Sequence, residues 1–157
     1  MPDSFMKAAL REASIAAVQK EAPIGAVAVK DGKIIARAHN LRESRNDPLG
    51  HAEISLLIKL SKKLNGWRMN GVTVYVTLEP CLMCMGAMIQ ARVPRLVFGA
   101  MVPKAGEPRS NHKMDVTSGV LEAECSAILK KFFKGLRQAP GDQQPTRPTH
   151  LRSRRSR

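Results

Sequence analysis

VTVYVTLEPCLMC, residues 72–84, begins as a β-branched and aromatic run of strand length and changes character at Glu79-Pro80. Pro80 stands where a helix can start, because its fixed φ suits the first turn and its missing N–H has no intrahelical partner there anyway. CLMCMGAMIQAR (81–92) is helical in length and composition, and RLVFGA (95–100) returns to a buried strand. Strand, helix and strand in immediate succession describe a layered α/β unit.

Upstream, HAEISLLIKLSKKL (51–64) carries Ile54, Leu57, Ile58 and Leu64 on one helical side and Lys59, Lys62 and Lys63 off it. Asn65-Gly66 stops that helix. PIGAVAVKDGKIIARAHN (23–40) predicts two strands over about 24–38, joined by Asp31-Gly32, a dipeptide that accepts the positive φ angles of a tight hairpin. Before it, Phe5, Ala8, Ala9, Ala13, Ala16 and Ala17 recur at spacings of three and four. They predict a helix over about 4–19, with Asp3 or Ser4 available as N-cap.

Downstream, residues 101–116 predict a loop containing Pro103, Gly106 and Pro108. Leu121, Cys125, Ile128, Leu129, Phe132 and Leu136 then define a last helix that packs on the sheet. Residues 138–157 are rich in Pro, Gln, Arg and Ser, a composition that cannot build a core and predicts a disordered basic tail. The expected organisation is one domain over 1–137 followed by that tail. Its fold class is α/β, a three-layer sandwich with a central mixed sheet flanked by helices.

Among 157 residues, 26 Lys and Arg stand against 13 Asp and Glu, a formal charge of +13. Such an excess favours a polyanionic partner, nucleic acid above all, through the release of condensed counterions. Three cysteines are too few, and odd in number, for a secreted disulfide framework. No signal-peptide pattern opens the sequence, and no apolar run approaches the roughly 18–20 residues of a membrane span, so a cytoplasmic protein is expected.

The chemistry concentrates in His51, Glu53, Cys81 and Cys84. Two cysteines three apart in the first turn of a helix can face one metal, and the helix N-terminus favours their thiolate forms. With His51 from another helix start, they make three ligands of the kind zinc takes. A structural site closes with four protein ligands, whereas this set leaves a tetrahedral position open to water. Glu53 lies two residues beyond His51, about 200° around a regular helix, so the pair does not chelate from one face. Its carboxylate suits a general base that takes a proton from water and returns it to a leaving group. Taken singly, His51 also reads as a helix cap, Glu53 as a partner of the helix dipole, and Cys81 with Cys84 as a redox dithiol.

HAE (51–53), TLEPCLMC (77–84) and GAMIQARVPRLVFGA (86–100) together resemble the cytidine-deaminase-like zinc fold. More narrowly, the chain is similar to the bacterial tRNA-specific adenosine deaminases over residues 5–137, including the 30-residue interval from His51 to Cys81. The resemblance implies one zinc ion per chain held by His51, Cys81 and Cys84, with Glu53 moving protons. It also implies contacts from Asn40, Ala52 and Leu78 to the target nucleoside. The implied reaction converts an adenosine with its base extruded to inosine, at the wobble position of a tRNA anticodon loop, in a homodimer. Ile24 and Val29 read as core residues beside the pocket, and Met83, Met85 and Met88 as core filling. Lys130, Lys131, Lys134 and Arg137 read either as phosphate contacts or as a solvated face, as do the tail residues Arg152, Arg154, Arg155 and Arg157.

The sequence departs from this family in three places. Val102 stands where an Asp is usual, the following loop is shortened, and Leu49-Gly50 replaces Thr-Ala before His51. A carboxylate near the sugar accepts a hydrogen bond from a ribose 2′-hydroxyl and a Val cannot, so weakened discrimination between RNA and DNA is expected. Deamination of a free base or nucleoside, and zinc-dependent RNA binding without catalysis, are the competing functions.

Overall fold

The computed structural model describes residues 2–102 and 113–138. Helix α1 (Pro2–Val18) leads into a hairpin of β1 (Gly25–Lys30) and β2 (Lys33–His39). Helix α2 (Ala52–Leu64), strand β3 (Thr73–Leu78), helix α3 (Leu82–Gln90) and strand β4 (Arg95–Ala100) follow, then β5 (Asp115–Thr117) and α4 (Glu122–Gln138). The five strands form one sheet in the order β2-β1-β3-β4-β5. β1 is antiparallel to β2 and β3, whereas β3, β4 and β5 run parallel, which makes the sheet mixed as expected.

Alternation along the strands sorts the core into two layers. Ala26, Ala28, Val74, Val76, Leu96 and Phe98 point to one face and meet Leu56 and Leu60 of α2 and Met88 of α3. Val27, Val29, Tyr75 and Val97 point to the other and meet Met6 and Ala9 of α1 and Cys125 of α4. Phe5 tilts against Tyr75 with ring centroids 5.3 Å apart. Helices on both faces complete the three-layer sandwich. A Cβ at Gly25 would run into the Ala9 carbonyl, and one at Gly99 into Cys125, so α1 and α4 ride directly on the sheet backbone at these two points. Burial pushes the Cys125 thiol up to about 11, as befits an inert core residue.

The hairpin turn has Asp31 at φ 50° and Gly32 at φ 72°, the two positive angles its dipeptide predicts. α2 ends at Asn65 in the left-handed conformation. On the outer edge of β2, the Lys59 ammonium donates to the Arg37 carbonyl (2.6 Å) and the Lys63 ammonium to the Ile35 carbonyl (2.8 Å).

Four expectations need correction. α1 starts at Pro2, so Asp3 and Ser4 lie inside its first turn rather than at its cap, and Met6 joins the buried stripe. The buried face of α2 consists of Ala52, Glu53, Ser55, Leu56 and Leu60, while Ile58 is 51% exposed, because the buried stripe includes polar residues that a hydrophobicity pattern passes over. Residues 115–117 are a strand, not loop; three residues paired to β4 across the sheet leave no local periodicity to read. α4 packs on β3 and β4 as expected, but its apolar stripe is not buried throughout: Cys125 is buried while Leu136 is 55% exposed. Residues 103–112 and 139–157, with the loop prolines and the tail arginines, lie outside the described residues. Among the described residues no helix is long and apolar enough to cross a membrane.

Candidate active site

The C-terminal ends of parallel strands are where open α/β sheets carry their ligands, since loops and helix N-termini converge there. β3 ends at Leu78 in register with Ala100 of β4, and Glu79-Pro80 turns the chain straight into α3. The Glu79 N–H donates to the Ala100 carbonyl (2.8 Å), extending the parallel ladder by one bond. Its carboxylate accepts the Val102 N–H (2.7 Å) and so ties down the exit of β4.

His51 is the N-cap residue of α2 and Cys81 the N-cap residue of α3, both with extended backbone. An N-cap side chain ordinarily accepts a hydrogen bond from the first turn. Neither does so here; both reach for the same space instead. His51 Nδ1 lies 3.6 Å from Cys81 Sγ and 3.5 Å from Cys84 Sγ, and the three ligand atoms all fall within 4.8 Å of one another. Zinc held tetrahedrally at about 2.3 Å from sulfur and about 2.0–2.1 Å from nitrogen separates these ligand types by about 3.6 Å. The donor set fits the ion.

The electrostatics point the same way. Burial raises the Cys84 thiol far above its ordinary value, with the Glu53 carboxylate adding to the shift, so its thiolate needs a cation beside it. Burial, assisted by the Arg42 guanidinium, lowers His51, which leaves the imidazole neutral and free to bind a metal. Glu53 is only 5% exposed, and burial pushes its carboxyl upward against a hydrogen bond with Cys84. A carboxyl held in that state can both accept and release a proton.

The other expected site residues differ in burial and in local bonding. Ala52 is fully buried, and Leu78 ends β3 half-buried. Asn40 is 6% exposed, and its amide is engaged locally: Oδ1 accepts the Arg42 N–H (3.2 Å) and Nδ2 donates to the Ala22 carbonyl (3.5 Å). Val102 is 39% exposed at the end of β4. Ile24 and Val29 pack in the core, as does Met88; Met85 is half-buried against it.

Sequence reasoning missed two carboxylates that hold backbone N–H groups in the segments following β2 and β4. Glu79 is one. The other is Glu21, fully buried, whose two oxygens accept the N–H groups of Glu43 (3.1 Å) and Ser44 (2.5 Å). Neither belongs to a ligand pattern. The one available signal for Glu79 is its place beside Pro80 at a strand end.

Comparison with known proteins agrees with this geometry. The family model of MafB19-like deaminases matches residues 2–137. A tRNA-specific adenosine deaminase of Bacillus subtilis (strain 168) is 49% identical over 144 residues, covering 85% of this chain and 89% of the relative. One from Agrobacterium fabrum is 43% identical over 140 residues, covering 83% and 92%. A structure from studies of A-to-I editing by tRNA:A34 deaminases at the wobble position of transfer RNA superposes with a TM-score of 0.76 at 43% identity, over 80% of this chain and 99% of that one. A guanine deaminase from Nitrosomonas europaea also reaches 0.76, over 84% of each chain, but at 24% identity it shares the fold alone. With its sequence alike over most of its length and with His51, Cys81 and Cys84 gathered at the starts of α2 and α3, the chain belongs to the tRNA-specific adenosine deaminases of the MafB19-like deaminase family.

Proposed function

We propose that this protein hydrolyses adenosine to inosine in RNA, at the wobble adenosine of a tRNA anticodon loop. Water adds at C6 of the adenine and the exocyclic amine leaves as ammonia. The observation that carries the reading is the meeting of His51, Cys81 and Cys84 beside a buried Glu53. His51, Cys81 and Cys84 would hold one zinc ion per chain, which supplies Lewis-acid activation of water when bound. Glu53 takes a proton from the attacking water and delivers it to the departing amine. An unpaired loop base costs little to extrude, and Asn40, Ala52 and Leu78 frame it once it is out.

Residues 1–137 form the deaminase unit, and the basic stretch 138–157 adds phosphate attraction. Exposed Leu82 and Met101 offer apolar surface to a second copy, in keeping with a homodimer. A tRNA substrate is in keeping with a cytoplasmic protein. Val102 presents no acceptor to a 2′-hydroxyl, so the enzyme tolerates DNA better than its Asp-bearing relatives do.

The test is formation of inosine at one loop adenosine in matched RNA and DNA anticodon hairpins, with Glu53→Ala alongside. Glu53-dependent inosine supports the reading. An RNA preference of a hundredfold or more removes the part that rests on Val102. Ammonia released from free guanine or cytidine, with neither hairpin converted, replaces the reading with a small-molecule deaminase. RNA binding without any ammonia makes the protein a silent RNA binder.

A further inference from the structure

Glu21 sits in the turn between α1 and β1, far along the chain from His51, and its side chain is fully buried. Such a carboxylate is costly to desolvate unless its oxygens are satisfied. Both are: each accepts one of two consecutive backbone N–H groups, from Glu43 and Ser44. Those residues belong to the loop 41–50 that delivers His51 to the start of α2.

The loop transmits this anchorage through a short series of bonds. The Leu41 N–H donates to the Gly50 carbonyl (2.8 Å), the Asp47 N–H to the Arg42 carbonyl (3.0 Å), and the Gly50 N–H to the Asp47 carbonyl (3.0 Å). The Leu49 N–H donates to Asp47 Oδ1 (2.9 Å) and the His51 N–H to the Leu49 carbonyl (2.8 Å). Strand and loop are also joined upstream, where the Asn40 N–H donates to the Ile24 carbonyl (3.1 Å). The coil is closed so tightly that a Cβ at Gly50 would lie 3.0 Å from the N and Cα of Arg42.

We propose that Glu21 is a positioning residue for the deaminase centre: by gripping Glu43 and Ser44 it fixes the loop 41–50 and thereby the place of His51 beside Cys81 and Cys84. The inference rests on reading His51 as a zinc ligand. It assigns to a carboxylate outside the ligand motif a share in metal affinity. Charge and two acceptor oxygens are both required, because a Gln amide would turn an NH2 group toward one of the two N–H donors and leave it unmet.

The experiment compares the intact chain with Glu21→Gln and Glu21→Asp, using zinc competition against a chromophoric chelator, a readout that needs no substrate. Hydrogen exchange at the Glu43 and Ser44 amides, thermal unfolding, and kcat and KM on an RNA hairpin accompany it. Glu21→Gln is expected to stay folded, to exchange faster at Glu43 and Ser44, and to bind zinc at least about tenfold more weakly, the lower end for loss of an outer-shell support. With saturating zinc its kcat falls while KM holds. Glu21→Asp, which keeps the charge, recovers part of the affinity. A Val29→Ala core variant serves as control for lost stability and is expected to keep wild-type zinc affinity.

Zinc affinity within twofold of wild type in Glu21→Gln overturns the proposal, as does an equal loss of affinity in a Val29→Ala protein of equal thermal stability. If no inosine forms in any variant, the proposed reaction fails while zinc competition still decides the role of Glu21. A wild-type chain that binds no zinc removes His51 as a ligand and this proposal with it.

Discussion

His51 and Cys81 occupy the same position in two helices, yet the chain brings them there in opposite ways. Cys81 comes off β3, a buried strand paired on both sides, through two residues whose course is set by Pro80 and by one further ladder bond. His51 comes off β2, the edge strand, through eleven residues (40–50) that must close on themselves and that lean on a buried carboxylate. The cysteine side inherits its precision from the sheet. The histidine side has to build its own, from Glu21, Asn40, Asp47 and the missing side chain of Gly50.

Removing the cysteine half is expected to have the largest effect. Cys84→Ala should retain less than a tenth of the wild-type zinc after dialysis, measured by elemental analysis, and should form no detectable inosine. Retention of full zinc would mean that the two sides do not meet at a metal. Glu53→Ala leaves both helix starts in place and removes the proton carrier alone. Zinc content should be unchanged while the single-turnover rate falls at least about a hundredfold.

The next test separates the two approaches directly. Gly50→Ala, which would restore the residue usual in the family, should cost about 1–3 kcal/mol in urea denaturation because its Cβ would lie 3.0 Å from the Arg42 backbone, which must shift to admit it. Leu82→Ala, at the start of α3 and 60% exposed in the single chain, should stay within about 0.5 kcal/mol of wild type when unfolding is followed on dilute, unassociated protein. Equal costs at both sites would erase the contrast. A smaller effect is expected where β4 leaves the sheet under the grip of Glu79. Val102→Asp should raise the ratio of RNA to DNA deamination about threefold to tenfold, the worth of one hydrogen bond.

The smallest effect is in acid. Although burial opposes it, the hydrogen bonds from Ser44 and Glu43 and the nearby Arg42 charge hold the Glu21 carboxyl below its ordinary 4.5. A depressed folded value means that the stability it contributes is present above that ordinary value and is lost as pH falls through the lower one. The difference in urea midpoint between wild type and Glu21→Gln should therefore narrow below about pH 4.5. A gap that stays constant down to pH 2 would show that the charge of Glu21 contributes nothing.

The cysteine side was also the legible one. VTVYVTLEPCLMC exposes its strand, its turn and its ligand spacing within thirteen consecutive residues, and the structure returns strand and helix within a residue or two. Hairpin and strand β4 were equally plain, because alternation and turn chemistry are local. The histidine side was harder. Glu53 and Ser55 are buried on α2, so the face that meets the core is not its most hydrophobic one. Glu21 stands in KEAP, where nothing nearby distinguishes it from a solvated glutamate, since its partners are more than twenty residues away. Strand β5 was invisible for a related reason: its only template is β4, across the sheet.

The ammonium groups of Lys59 and Lys63, seated on the outward carbonyls of β2, carry a consequence for crowding and proteostasis. An open strand edge is a template on which another chain can crystallise its own backbone, and here one edge is plugged by two cations while the other is a strand of three residues. Association of two copies is thereby steered away from sheet extension and toward side-chain surfaces, which can saturate at a closed particle. Acylation of the two lysines would remove both cations from that edge.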